Sequence, residues 1–121
     1  MIRKTILLMD DSPMVLDLAR EALEKSVFEV HTVNAVSELE SFTQRQSPDL
    51  ILMDVQMPEA FGDDVAMVLK LVRGVDVPIY LFSNLDEDEL SERAEDAECD
   101  GYIWKRAGID HLVTRVKEIL A

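Results

Sequence analysis

The sequence has 121 residues, enough for one domain and too few for two. Hydrophobic residues at 48% and charged residues at 31% strike a globular balance that excludes a disordered tail, and no apolar run approaches the ~20 residues of a membrane span. Twelve Lys and Arg against 25 Asp and Glu leave a net charge of −13, so no direct nucleic-acid binding is expected, and the single cysteine, Cys99, excludes an internal disulfide and a multi-cysteine zinc site.

Short apolar runs alternate with amphipathic ones along the chain. The opening Met1-Ile2-Arg3-Lys4-Thr5 leads into only four apolar residues, Ile6 to Met9, too few for a signal peptide, and a cytoplasmic location is expected. Ile6 to Met9 predicts a strand that ends at Asp10-Asp11. Pro13 to Lys25 predicts a helix with Ser12 as N-cap and Pro13 in its first position. Val27 to Val33 alternates as a strand does, and Ala35 to Gln46 has helical spacing with Asn34 or Ser37 as its cap. Asp49 to Met53 predicts an apolar strand ending at Asp54, followed by a helix over Gly62 to Val72. Val77 to Phe82 predicts a strand with Pro78 near its start, where a missing N–H is tolerable. Asp86 to Ala97 predicts an acidic helix; from Asp86 to Asp100 nine acids face one base, Arg93, so this segment carries −8 of the net charge. Gly101 to Trp104 predicts a last short strand, and Ile109 to Leu120 a closing helix.

This order predicts an α/β fold, a doubly wound five-stranded parallel sheet with five helices in one domain spanning 1–121. In such sheets the working site lies beyond the carboxyl ends of the strands. Asp10 and Asp11, Asp54, Ser83 and Lys105 all fall at such ends. Taken singly, each has a plainer role: a helix cap or turn for the Asp pair, a loop acid, a turn serine, a solvated lysine. Taken together, they bring three carboxylates into one crevice, where two charges ~4 Å apart repel by about 4 kcal/mol at an effective dielectric of 20. A hard divalent cation such as Mg²⁺, with Lys105, makes such a site formally neutral and able to accept a phosphoryl group. Aspartate is a plausible acceptor, because carboxylates form aspartyl-phosphates, and Ser83 offers a hydroxyl that can donate to a phosphoryl oxygen.

The chain resembles response-regulator receiver domains, the CheY-like family of flavodoxin-like (βα)5 folds, from end to end. The resemblance rests on Leu7-Leu8-Met9-Asp10-Asp11-Ser12, Asp49 through Pro58, Gly62, Ser83, Asp100-Gly101-Tyr102 and Lys105. It implies a two-component switch that takes a phosphoryl group from a histidine kinase or phosphotransfer protein and catalyses its own phosphorylation and hydrolysis, rather than an enzyme turning over a free substrate. It further implies Asp54 as phosphoacceptor and Lys105 as the phosphate-pairing lysine. Asp11, Asp54 and the Gln56 backbone carbonyl would be direct Mg²⁺ ligands, with Asp10 acting through water. Ser83 would be the switch hydroxyl and Tyr102 the aromatic that repacks with it.

Several positions depart from the family's pattern. Arg106 stands where proline is usual after the lysine, which predicts a trans bond there and a second cation near the site. Asn84 follows Ser83 in place of a small residue, and Glu59-Ala60-Phe61 precedes Gly62. Phe61 is expected to pack on the adjacent helix. Glu98 takes a position where glycine commonly ends a helix, so a different helix end is expected. Cys99 is expected to be a small buried hydrophobe. Gln56 and Leu85 lie where the family gates water, and Leu85 predicts a longer-lived phosphoryl state than a carboxylate would allow. Trp104 and Tyr102 share a strand face, one that partners read in this family. His31 and His111 are expected to be structural, and the acidic helix favours an output partner with a basic surface. Two other functions fit part of this pattern: a degenerate receiver serving as a phosphorylation-independent interaction scaffold, and an Mg²⁺-dependent phosphatase or phosphotransferase using an aspartate nucleophile. The adjacency of Asp10 and Asp11 and the lack of room for a substrate cap disfavour the second.

Overall fold

The computed structural model describes residues 3–121. Met1 and Ile2, the start of the predicted 1–121 domain and of the segment judged too short for a signal peptide, lie outside the described residues. Five strands, β1 (Thr5–Met9), β2 (Glu29–Val33), β3 (Leu50–Met53), β4 (Ile79–Ser83) and β5 (Gly101–Trp104), alternate with α1 (Pro13–Lys25), α2 (Val36–Arg45), α3 (Gly62–Leu71), α4 (Glu87–Asp96) and α5 (Ile109–Ile119). The sheet is parallel throughout, in the order β2-β1-β3-β4-β5. The predicted doubly wound architecture is the observed one.

The central strands explain why their sequences read as unbroken apolar runs. Ile6 to Met9 and Leu50 to Met53 are wholly buried because each strand meets a helical layer on both faces. Alternation divides their side chains. Leu7, Met9, Ile51 and Met53 pack with Leu39 and Phe42 of α2, Leu69 of α3 and Leu90 of α4. Ile6, Leu8, Leu50 and Leu52 pack with Leu23 of α1 and Leu112 of α5. The register Leu8↔Leu52 and Met9↔Met53 brings β1 and β3 to the same level, so the residues just beyond them emerge side by side.

Helix ends account for most departures from expectation. Ser12 caps α1 as predicted, its Oγ accepting from Val15 N at 3.3 Å. The second strand starts at Glu29 rather than Val27, because Val27 adopts φ 63° and closes α1. Its N–H donates to the Glu24 carbonyl and the Phe28 N–H to that of Leu23, the paired bonds of a Schellman ending, with buried Phe28 as the apolar anchor. Glu98 ends α4 in the same way at φ 56°, with Glu98 N–H on Glu95 and Cys99 N–H on Ala94. The expectation that glutamate would force a different ending is therefore corrected: two hydrogen bonds offset a left-handed cost of about 1–2 kcal/mol. The cap of α2 also differs. Neither Asn34 nor Ser37 caps it; the N-cap is Ala35, and the Glu59 carboxylate accepts from Val36 N at 2.7 Å. Pro78 precedes β4 rather than entering it. No helix among the described residues is long and apolar enough to cross a membrane.

Candidate functional site

The site lies at the carboxyl edge of the sheet, where β1, β3, β4 and β5 end. Asp10 follows β1 and is fully buried. Its backbone N–H reaches the Val33 carbonyl at 3.2 Å, and its Oδ1 accepts from Ser12 N at 2.9 Å. One carboxylate thus both fixes the entry to α1 and faces the crevice. Asp54 follows β3, is 5% exposed, and is held by its N–H on the Met9 carbonyl at 2.9 Å. Asp11 is exposed at the rim. One carboxylate oxygen from each of Asp10, Asp11 and Asp54 lies within 4.8 Å of the others.

Lys105, directly after β5, supplies the compensating charge. Its Nζ donates to Asp10 Oδ2 at 2.6 Å and to Asp54 Oδ1 at 3.4 Å, and it sits 5.1 Å from the centre of the Phe82 ring. This compensation is incomplete. Burial pushes the Asp54 carboxyl up to about 7, an effect that Asp10 and Asp11 add to and Lys105 opposes. Three acids against one lysine therefore leave a deficit of positive charge. All-oxygen donors in that cluster are the chemistry that suits Mg²⁺. The residues fit the ion: Asp10, Asp11 and Asp54 supply the carboxylates, with the Gln56 carbonyl on the adjoining loop as the remaining candidate.

That loop is tightly made. Gln56 forms an isolated bridge with Phe61, and Gly62 N–H donates to the Val55 carbonyl at 2.8 Å. A Cβ on Gly62 would lie 1.7 Å from the Asp54 carbonyl oxygen, so only glycine lets α3 start this close to the acceptor. Gly62→Ala is expected to cost about 2 kcal/mol through the forced backbone shift and to weaken Mg²⁺ binding. Urea denaturation and Mg²⁺ titration would check both effects.

The remaining predicted residues fall as follows. Ser83 is buried at the end of β4, and its Oγ accepts from Leu85 N at 3.3 Å. Tyr102 and Trp104 do share a face, packed toward the α4 side of the sheet. The Tyr102 hydroxyl donates to Glu87 at 3.2 Å and the Trp104 indole to the Leu85 carbonyl at 2.8 Å. Arg106 turns to the Trp104 ring, 5.7 Å from its centre, so among the described residues Lys105 is the cation paired with the site acids. No cis peptide occurs among the described residues, as expected for Lys105–Arg106. Asn84 is exposed and lines a cleft with Lys105, Phe82, Leu18 and Ile109. Phe61 is half exposed, with the Arg93 guanidinium of α4 5.3 Å above its ring. Cys99 is half-buried, and burial raises its thiol to about 11, in keeping with an unreactive hydrophobe. His31 lies against Phe42 at 5.0 Å and pairs with Glu29 at 3.0 Å. Two contributors escaped the sequence reading: Phe82 beneath Lys105, and Gly62 as a steric requirement rather than a matching letter. Each was visible only as an apolar strand residue and a helix-start glycine.

The model of the response regulator receiver domain family matches residues 6–117. Among curated proteins, the chain is 30% identical over 121 residues to the polar-differentiation response regulator DivK of Brucella anthropi, covering 97% of this chain and 96% of DivK. It is also 30% identical over 121 residues to the phosphate regulon transcriptional regulatory protein PhoB of Pseudomonas aeruginosa, covering 99% of this chain but spanning only 53% of PhoB. Among solved structures, the chemotaxis response regulator CheY4 of Vibrio cholerae superposes with a TM-score of 0.87 at 19% identity, over 98% of this chain and 99% of CheY4, a likeness of fold.

Proposed function

From the premise that the chain belongs to the response regulator receiver domain family of two-component signalling, we propose that it is a phosphorylation-dependent switch whose acceptor is Asp54. The observation that carries this reading is Lys105 Nζ poised between buried Asp10 and Asp54, with Asp11 in the same cluster. A Asp54 oxygen forms a bond to phosphorus as the bond to the donor histidine nitrogen breaks, and the imidazole nitrogen keeps that electron pair. Lys105 shifts from Asp10 to an oxygen of the transferred group, and the Ser83 hydroxyl donates to another. Asp11, Asp54 and the Gln56 carbonyl, with Asp10 through water, would hold Mg²⁺, and when bound it would supply positive charge against the phosphoryl oxygens. The donor is a histidine kinase or phosphotransfer protein entering over the cleft of Leu18, Phe82, Asn84 and Ile109. On this reading the protein works in the cytoplasm, turns over no free substrate, and hands its signal to an output partner with a basic surface.

Incubation with Mg²⁺ and acetyl phosphate tests the proposal. The intact mass should rise by one phosphoryl group, and Asp54→Asn should abolish the gain. No gain in the unsubstituted chain would leave the scaffold reading, which the assembled site disfavours. Trp104 fluorescence should change when Mg²⁺ or beryllofluoride is added, because its indole holds the Leu85 carbonyl of the β4–α4 loop. An unchanged spectrum with both would argue for a silent site. Leu85 has no polar atom in its side chain to orient an attacking water, so Leu85→Glu is expected to shorten the phosphoryl lifetime by about tenfold. Decay of the phosphorylated mass with time measures this, and an unchanged lifetime would count against water gating at this position.

A further inference from the structure

The middle helix of the α2–α3–α4 layer leaves apolar side chains exposed on its outward face. Val68, Leu71 and Val72 are 45%, 63% and 74% exposed, and Phe61 at the start of the helix is 50% exposed. Val68, Leu71 and Val72 lie together at the last turn of α3, while Phe61 at its N-cap is set apart from them by exposed Asp64 and has the Arg93 guanidinium over its ring. Buried Ala66 and Leu69 hold the opposite side to the sheet. Exposed apolar side chains grouped at one helix end in this way point to a surface for association.

The unpaired charge on α3 and α4 is one-signed because the cations on and beside them are already engaged. Lys70 is paired with Asp100 at 2.6 Å, Arg73 with Glu40 at 3.2 Å, and Arg93 with both Asp63 at 3.1 Å and Glu89 at 3.0 Å. The Arg93–Asp63 pair also shows that α4 lies alongside the start of α3. Asp64 on α3 and Asp88, Glu92, Glu95 and Asp96 on α4 have no cationic partner among the described residues. A second copy of this chain, itself at −13, would bring acids against acids. A nucleic acid is excluded by the same sign.

We propose that the outward face of α3, rimmed by the unpaired acids of α4, docks a cationic amphipathic helix of a partner protein. The apolar side of such a helix rests on Val68, Leu71 and Val72, with its lysines or arginines toward α4. The proposal gives a place and a form to the basic partner of the switch reading, yet it requires no phosphoryl chemistry.

The test uses the full chain, ¹⁵N-labelled, in 150 mM NaCl. The probes are an 18-residue Lys/Leu peptide patterned as an amphipathic helix and a peptide of the same composition in scrambled order. The patterned peptide should shift the amides of α3 and α4 and bind at least tenfold more tightly than the scrambled one. Val68→Ser/Leu71→Ser should weaken it about tenfold, as should Glu92→Gln/Asp96→Asn. Equal binding of both peptides, shifts centred on another face, or full affinity in the Val68/Leu71 variant would overturn the proposal. The same variants assayed with acetyl phosphate should still gain the phosphoryl mass, which separates a lost docking face from a failed acceptor.

Discussion

Asp54→Asn should make the metal-free protein more stable at pH 8, by about 2–4 kcal/mol. The upper figure is the displacement of the carboxyl from 3.8 to about 7, converted at about 1.4 kcal/mol per unit. The sign follows from linkage. Below pH 3.8 the carboxyl is protonated in both the folded and unfolded chain, and Asp54 contributes nothing. Between 3.8 and about 7 the unfolded chain has lost the proton that the folded chain still holds, so stability falls as pH rises. Above about 7 the folded chain carries the charge in a poorly solvated place and the full cost persists. The amide side chain has no such titration, so its advantage should grow from about pH 4 and level off near pH 7. Urea denaturation in EDTA across this range measures the difference directly. A flat difference, or a less stable variant at pH 8, would mean that Asp54 is well compensated without metal. Saturating Mg²⁺ should narrow the gap, because binding to the folded acids stabilises the unsubstituted chain by mass action.

Lys105→Met should act in the opposite direction. Its Nζ is the partner of a fully buried Asp10 and a nearly buried Asp54. Removing one member of a buried ion pair leaves the other without compensation and typically costs about 3–5 kcal/mol. Here the loss should sit near the lower figure, about 3 kcal/mol at pH 8, because Asp54 can take up a proton and Asp10 keeps its bond from Ser12 N. At pH 5 the loss should shrink, since protonation substitutes for the missing cation. The same variant should lower the rate of phosphorylation by acetyl phosphate by about a hundredfold, the usual order for removing one group that meets developing charge. Denaturation at both pH values and time-resolved intact mass would decide it. A variant as stable and as fast as the parent would place Lys105 outside the chemistry.

Both predictions concern residues that the sequence already marked, and the reason is topological. A parallel strand buried on both faces reads as a continuous apolar run, so the first acid after it stands out, as Asp10 and Asp54 do. Ser12 before Pro13 was legible because an N-cap is a local event within one turn. What stayed hidden was set by contacts between distant segments. Arg93 meets Asp63 thirty residues away, and the carboxylate that caps α2 arrives from Glu59, 23 residues on. Neither spacing has a period that a sequence can display. Val27 and Glu98 were hidden for another reason. Propensity places glycine at a left-handed helix end, whereas here two hydrogen bonds and a neighbouring anchor outweigh the strain.

The bond from Val36 N–H to Glu59 joins two connecting segments that belong to different crossovers. Glu59 stands on the stretch that carries Gln56 and Gly62, so the loop beside the acceptor and the first turn of α2 share one hydrogen bond. A rearrangement of that loop is therefore expected to register at the Val36 amide, by a contact in which Tyr102 takes no part.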